Sequence, residues 1–211
     1  MGNFSRIRHE IYLTIANVPK ESMKLLPKFK IAFGCLAVIF IASMFLGSYP
    51  GRFIVKSLPI LLMAFLSFKN LTGTVRYFMV FGFLFSAGGD IFLDLSRTQY
   101  FVYGLSSFAI AHIMYAIAFS IDIKRDRLRS IFAILIVLYT VIIAVVLLPY
   151  LGVLVIPVLV YIGLISVMGV TSALTNRQLT TVFVGALLFI LSDSIIALTK
   201  FIYPSSWIAI M

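Results

Sequence analysis

Apolar residues run through this chain in long stretches, separated by short segments that hold most of its charge. A helix crosses the hydrocarbon core of a bilayer with roughly 20 residues, and seven runs approach or reach that length. They are Ile31–Gly47, Phe53–Phe68, Tyr77–Leu95, Phe101–Ile121, Ser130–Pro149, Leu151–Ala173 and Thr180–Tyr203. The fifth and sixth runs form almost one stretch. A single helix of that length would overshoot the bilayer, so Pro149, Tyr150 and Gly152 are expected to fold it into a hairpin. A β-barrel is excluded, because its strands alternate apolar and polar residues over about ten positions and these runs do not. The expected fold is an all-α polytopic membrane protein with one helical membrane domain over residues 31–203.

Composition agrees with that reading. The chain is 62% hydrophobic and 11% charged, against about 45–50% and 25% in soluble domains, and its mean hydropathy is +1.13. So little polar surface excludes an ordinary soluble enzyme, a disordered chain and a coiled coil. The net charge of +10 does not point to nucleic acid, because the basic residues sit between apolar runs, where they orient spans. A cytoplasmic N-terminus puts thirteen basic residues inside and four outside, the four being Arg52, Lys56, Arg97 and Lys200. The N-terminus is therefore expected in the cytoplasm. The single cysteine, Cys35, lies within an apolar run, so no disulfide forms within the chain.

Residues 1–30 read as a basic cytoplasmic tail carrying Arg6, Arg8, Lys20, Lys24, Lys28 and Lys30, without a signal-peptide cleavage site. The stretch Glu10–Lys30 also permits a short interfacial helix. After Tyr203, the residues Pro204, Ser205 and Ser206 read as a turn into the start of an eighth helix over 204–211.

Ionisable side chains inside spans mark functional sites, since each costs about 2.5–3.5 kcal/mol at the bilayer centre even on the lenient scale. This chain has Lys56 in the second run, Asp90 and Asp94 in the third, and His112 in the fourth. The seventh run holds Asp193 and Lys200. With the N-terminus inside, all six fall at the midplane or in the outer half. Asp90 and Asp94 are four apart and share a helix face with Ser86; His112 and Tyr115 are three apart; Asp193 and Lys200 are seven apart. Asp94 and Lys200, near helix ends, can reach the interface. Asp90 and Asp193 are too short to do so, and they predict a polar cavity. Gly88, Gly89, Gly104 and Gly185 suit close helix approach around it.

Three segments carry a resemblance. Phe85–Leu95, FSAGGDIFLDL, is similar to the GD-containing third-helix motif of the YhhN/TMEM86 family, the lysoplasmalogenases. Tyr103–Phe119, YGLSSFAIAHIMYAIAF, resembles that family's GL..F..AH..Y...F stretch. Gly185–Phe201, GALLFILSDSIIALTKF, resembles its GA..F..SD......KF motif. Lys56 and Pro59 match a weaker KP-type signature in part, with Ser57 and Leu58 intervening. The matches fall in order, and the resemblance spans Lys56 to Phe201.

The resemblance implies an integral membrane enzyme, usually of eight helices, in a bacterial inner membrane or, in a eukaryote, the endoplasmic reticulum. It implies hydrolysis of the vinyl ether bond of lysoplasmalogens to a fatty aldehyde and a glycerophospho-amine. Its partners would be a lysophospholipid substrate and membrane lipid, with a homo-oligomer left open. Such a reaction needs a carboxyl group that delivers a proton, a carboxylate that balances positive charge, and a base that positions water. Asp90 and Asp193 are the natural pair for these roles, and His112 suits water orientation or proton shuttling. Ser86, Tyr115 and Ser192 are expected to supply hydrogen bonds. Lys56 and Lys200 suit a phosphate headgroup at the outer rim, and Asp94 is grouped with these substrate-binding residues. No cofactor is expected, and one cysteine with two histidines, His9 and His112, does not build a usual zinc site. The same polar cluster also fits a proton-coupled transporter or a lipid-binding membrane protein.

Overall fold

The computed structural model describes residues 31–40, 42–43, 51–96, 98–176 and 179–203. The basic tail, the end of the first apolar run and the expected eighth helix lie outside the described residues. Among the described residues there are seven α-helices: α1 (Ile31–Phe40), α2 (Arg52–Asn70), α3 (Gly73–Leu95), α4 (Phe101–Ser120), α5 (Arg127–Leu147), α6 (Val155–Leu174) and α7 (Leu179–Phe201). Six of them, α2 to α7, are long and apolar enough to cross a membrane. The chain is an integral multi-pass membrane protein.

The element ends follow from local chemistry. Gly51 adopts a left-handed φ of 86° ahead of α2, a conformation that glycine takes without steric cost. α3 starts at Gly73, one turn before the apolar run suggests. Arg76 is accommodated in that first turn because its Nε donates to the Leu71 carbonyl. The long apolar stretch after α5 does break into a hairpin. Two short 3₁₀ turns, Leu148–Tyr150 and Gly152–Leu154, carry the chain round, with Gly152 at φ 51°.

Asp126 caps α5. Its Oδ1 accepts from the backbone N–H of Arg129 at 3.0 Å, and its Oδ2 accepts from Arg129 Nε at 3.0 Å. The Arg129 guanidinium also donates to the Thr175 carbonyl, and Lys124 N–H donates to the Leu174 carbonyl at 2.8 Å. One end of the bundle is thereby tied, the α4–α5 connection to the α6–α7 connection. The backbone N–H of Arg129, then its guanidinium, holds the Asp126 carboxyl below its ordinary value of 3.8. A depressed carboxyl contributes stability above its unfolded value, and this is lost as pH falls through the folded one. Acid titration is therefore expected to expose the Arg129 amide to hydrogen exchange only below about pH 4. In Asp126→Ala that amide should exchange readily at neutral pH as well.

α3 packs against α2 on one side and α4 on the other; α4 packs on α6, and α6 on both α5 and α7. Buried side chains gather in two clusters. Tyr115, Ile136, Ile165, Met168 and Ile190 centre the first, and Phe101, Leu147, Leu151 and Val158 form the second toward the hairpin. Large apolar side chains such as Leu138, Ile142 and Val145 stay exposed along α5, as a lipid-facing surface requires.

Small residues set the α3–α4 spacing. A Cβ on Gly104 would lie 2.9 Å from the Leu93 side chain and 3.3 Å from the Gly89 carbonyl oxygen. Gly89 and Gly82 lie under the rings of Phe108 and Tyr115. Gly185, by contrast, meets no atom within 4 Å, so it does not serve the close approach expected of it. Gly104→Ala is expected to cost about 1–3 kcal/mol through overpacking, and Gly185→Ala little. Thermal unfolding of the two variants in detergent checks the contrast.

Candidate active site

α4, α6 and α7 bring three polar side chains together inside the helix bundle. Tyr161, on α6, donates its hydroxyl hydrogen to Asp193 Oδ2 on α7. The same Oη lies 2.9 Å from His112 Nε2 on α4. His112 Nε2 stands 3.7 Å from Asp193 Oδ2, beyond hydrogen-bond length, so the tyrosine bridges them. His112 is fully buried, wedged edge-on against Phe189 with ring centroids 5.0 Å apart.

Asp193 and Tyr161 belong to the wall of a pocket lined from α4, α5, α6 and α7, with Leu93 of α3 at its edge. The rest of the wall is nearly all hydrocarbon, with Leu93, Phe108, Ile143, Val158, Ile162 and Ile190 among its residues. Phe101 and Phe201 also line it, and Lys200 Nζ sits over the Phe101 ring, 4.2 Å from its centroid. A cation at that distance is attracted by the ring face. The pocket therefore has the chemistry of an alkyl-chain site with one carboxyl in its wall and an ammonium beside its aromatic residues.

The other charges are placed differently. Lys56 Nζ lies 2.6 Å from Asp90 Oδ1. One turn further, Arg52 Nη2 lies 2.7 Å from Asp94 Oδ1, which also accepts from Arg52 Nε at 2.9 Å. Two cations on α2 thus face two carboxylates on α3. Asp90 is within electrostatic reach of Asp193 and of Tyr161, but it does not line the pocket. Ser86 and Tyr115 pair with each other, Oγ to Oη at 3.1 Å. Ser192 is exposed on α7. Ser194 lines the pocket instead, its Oγ donating to the Ile190 carbonyl at 2.7 Å. Among the described residues, no group of three or more His, Cys, Asp and Glu side chains is placed to hold a metal ion.

Two residues of this arrangement are not among those the sequence singles out. Arg52 reads as a loop charge, yet it completes the ladder. Tyr161 reads as one aromatic in an apolar run, and its only signal is a hydroxyl deep within a span, where it needs a partner.

Residues 51–211 match the YhhN family. The chain is similar to a curated protein named lysoplasmalogenase TMEM86A from Bos taurus, 34% identical over 132 residues. The match covers 58% of this chain and 53% of that protein, so the chain spans about half the length of this relative. No solved structure matches the chain.

Proposed function

The chain belongs to the YhhN family, and we propose from that premise that it hydrolyses the vinyl ether bond of lysoplasmalogen-like lysolipids. The observation that carries the reading is the carboxyl of Asp193 in the wall of an apolar pocket. An alkenyl chain lying in that pocket brings its double bond to this carboxyl. The name of the bovine relative supports the same reaction class.

The steps balance as follows. Asp193 gives its proton to the outer alkene carbon, and the electron pair of the double bond forms the new C–H bond. The carbon next to oxygen becomes an oxocarbenium ion, and the negative charge left on Asp193 stabilises it. Water adds to that carbon and returns one proton to Asp193, leaving a hemiacetal. Asp193 then protonates the ether oxygen, the C–O bond breaks, and the proton lost by the hemiacetal hydroxyl restores the acid form of Asp193. The products are a fatty aldehyde and the glycerophospho-alcohol. Lys200, above Phe101, supplies positive charge for the headgroup phosphate.

The test is a panel of three lysolipids with matched chains and headgroups, offered to the purified full chain in detergent. Aldehyde should appear from the 1-alkenyl lipid alone. The 1-alkyl lipid has no alkene carbon to protonate, and the 1-acyl lipid needs a nucleophile or an activated water at its carbonyl. Fatty acid from the acyl lipid, without aldehyde from the alkenyl one, contradicts the proposal.

A further inference from the structure

Paired aspartates leave one side chain of the pocket unexplained. The Tyr161 hydroxyl stands between Asp193 Oδ2, to which it donates, and His112 Nε2, at 2.9 Å. A phenol has one hydrogen. While it donates to Asp193 it accepts from His112, which places a hydrogen on Nε2. When Asp193 carries the acid proton, the direction reverses, and Tyr161 donates to Nε2. The two arrangements, imidazolium with ionised Asp193 and imidazole carrying its hydrogen on Nδ1 with neutral Asp193, differ by the concerted shift of two protons along O–H···O–H···N. His112 Nδ1 has no hydrogen-bond partner among the described residues, so Tyr161 is the bond that orients the ring. The neighbouring charges are Asp90 on α3, paired with Lys56 on α2, and the nearby Tyr115 on α4 is bonded to Ser86.

We propose that Tyr161 is a positioning residue that joins Asp193 and His112 into one proton relay and returns Asp193 to its acid form. The relay's use in catalysis rests on the hydrolase reading; the bridge itself does not. Collapse of the hemiacetal needs an acid and a base together. Asp193 protonates the ether oxygen while the hemiacetal hydroxyl passes its proton to Tyr161 Oη, and Tyr161 passes its own to His112 Nε2. The aldehyde and alcohol leave, with Asp193 ionised and His112 cationic. His112 then gives its Nε2 proton to Tyr161 as Tyr161 gives its own to Asp193, and the starting state is restored.

Tyr161→Phe in the full chain tests this, because it keeps the ring and removes only the hydroxyl. A His9→Gln background leaves His112 as the single histidine for ¹⁵N spectroscopy. The Nε2 signal is expected to move in Tyr161→Phe as its hydrogen bond is lost. Turnover should fall about 100-fold with KM nearly unchanged. The dependence of kcat on deuterium content should change from bowed, with two protons in flight, to linear. An unmoved His112 signal overturns the bridge. A moved signal with unaltered kcat and an unaltered isotope curve overturns the relay. Wild-type protein that releases no aldehyde contradicts the hydrolase reading and the relay's catalytic use, while the His112 signal decides the bridge separately.

Discussion

Asp193→Asn is expected to lower turnover of a 1-alkenyl lysolipid by about 10²–10⁴-fold, the range for removal of a general acid, with KM and thermal midpoint close to wild type. The amide fills the volume of the carboxyl, and its oxygen still accepts the Tyr161 hydrogen bond, so the pocket keeps its shape. It does not deliver a proton to carbon. Loss confined to kcat is the signature of an interaction made in the transition state. Asp94→Asn should affect kcat far less, because Asp94 is held by Arg52 on α2 and is not part of the pocket wall. Steady-state kinetics on both variants, beside thermal unfolding, checks the separation.

Lys56→Met is expected to act through stability. Lys56 and Asp90 side chains are 24% and 16% exposed, 2.6 Å apart. Removing one partner of a fully buried pair costs about 3–5 kcal/mol, because the other charge is left uncompensated. Partial exposure reduces this to about 2 kcal/mol. Replacing both, Lys56→Met with Asp90→Leu, should recover much of the loss. The same pairing changes the expectation for Asp90→Asn. A buried carboxylate viewed alone is replaced by an amide without cost to the fold. Here the amide leaves the Lys56 ammonium facing a neutral group, so lower activity in Asp90→Asn must be read against its unfolding curve. Unfolding midpoints of the two single variants and the double variant measure the coupling.

Much of the fold is legible in the sequence because the bilayer imposes it. Runs of the right length give α2 to α7, and Pro149 with Gly152 marks the hairpin that two 3₁₀ turns complete. What spacing does not reveal is partnership between helices. Asp90 and Asp94 visibly share a face, as Arg52 and Lys56 do, but only packing of α2 on α3 sets the two rows opposite each other. The choice between Ser192 and Ser194 illustrates the limit. Each lies about 100° from Asp193 on the helix, so periodicity does not say which turns toward the pocket. Tyr161 escapes for another reason. A tyrosine in an apolar run resembles an interfacial anchor until His112 and Asp193 are seen on either side of its hydroxyl. Lys200, seven residues after Asp193, has its Nζ over the ring of Phe101, a residue of the pocket wall.

The central claim is that a carboxyl in an apolar pocket protonates the alkene carbon of an ether lipid. Hydrolysis in D₂O tests it most directly, with the aldehyde reduced at once to its alcohol to prevent later exchange. Carbon protonation predicts one deuterium per molecule at the carbon adjacent to the former carbonyl, with the label sharply diminished in rate but not in position for Asp193→Asn. An aldehyde without deuterium at that carbon would contradict the account, because the double bond would then have been opened without proton transfer from a solvent-exchangeable acid.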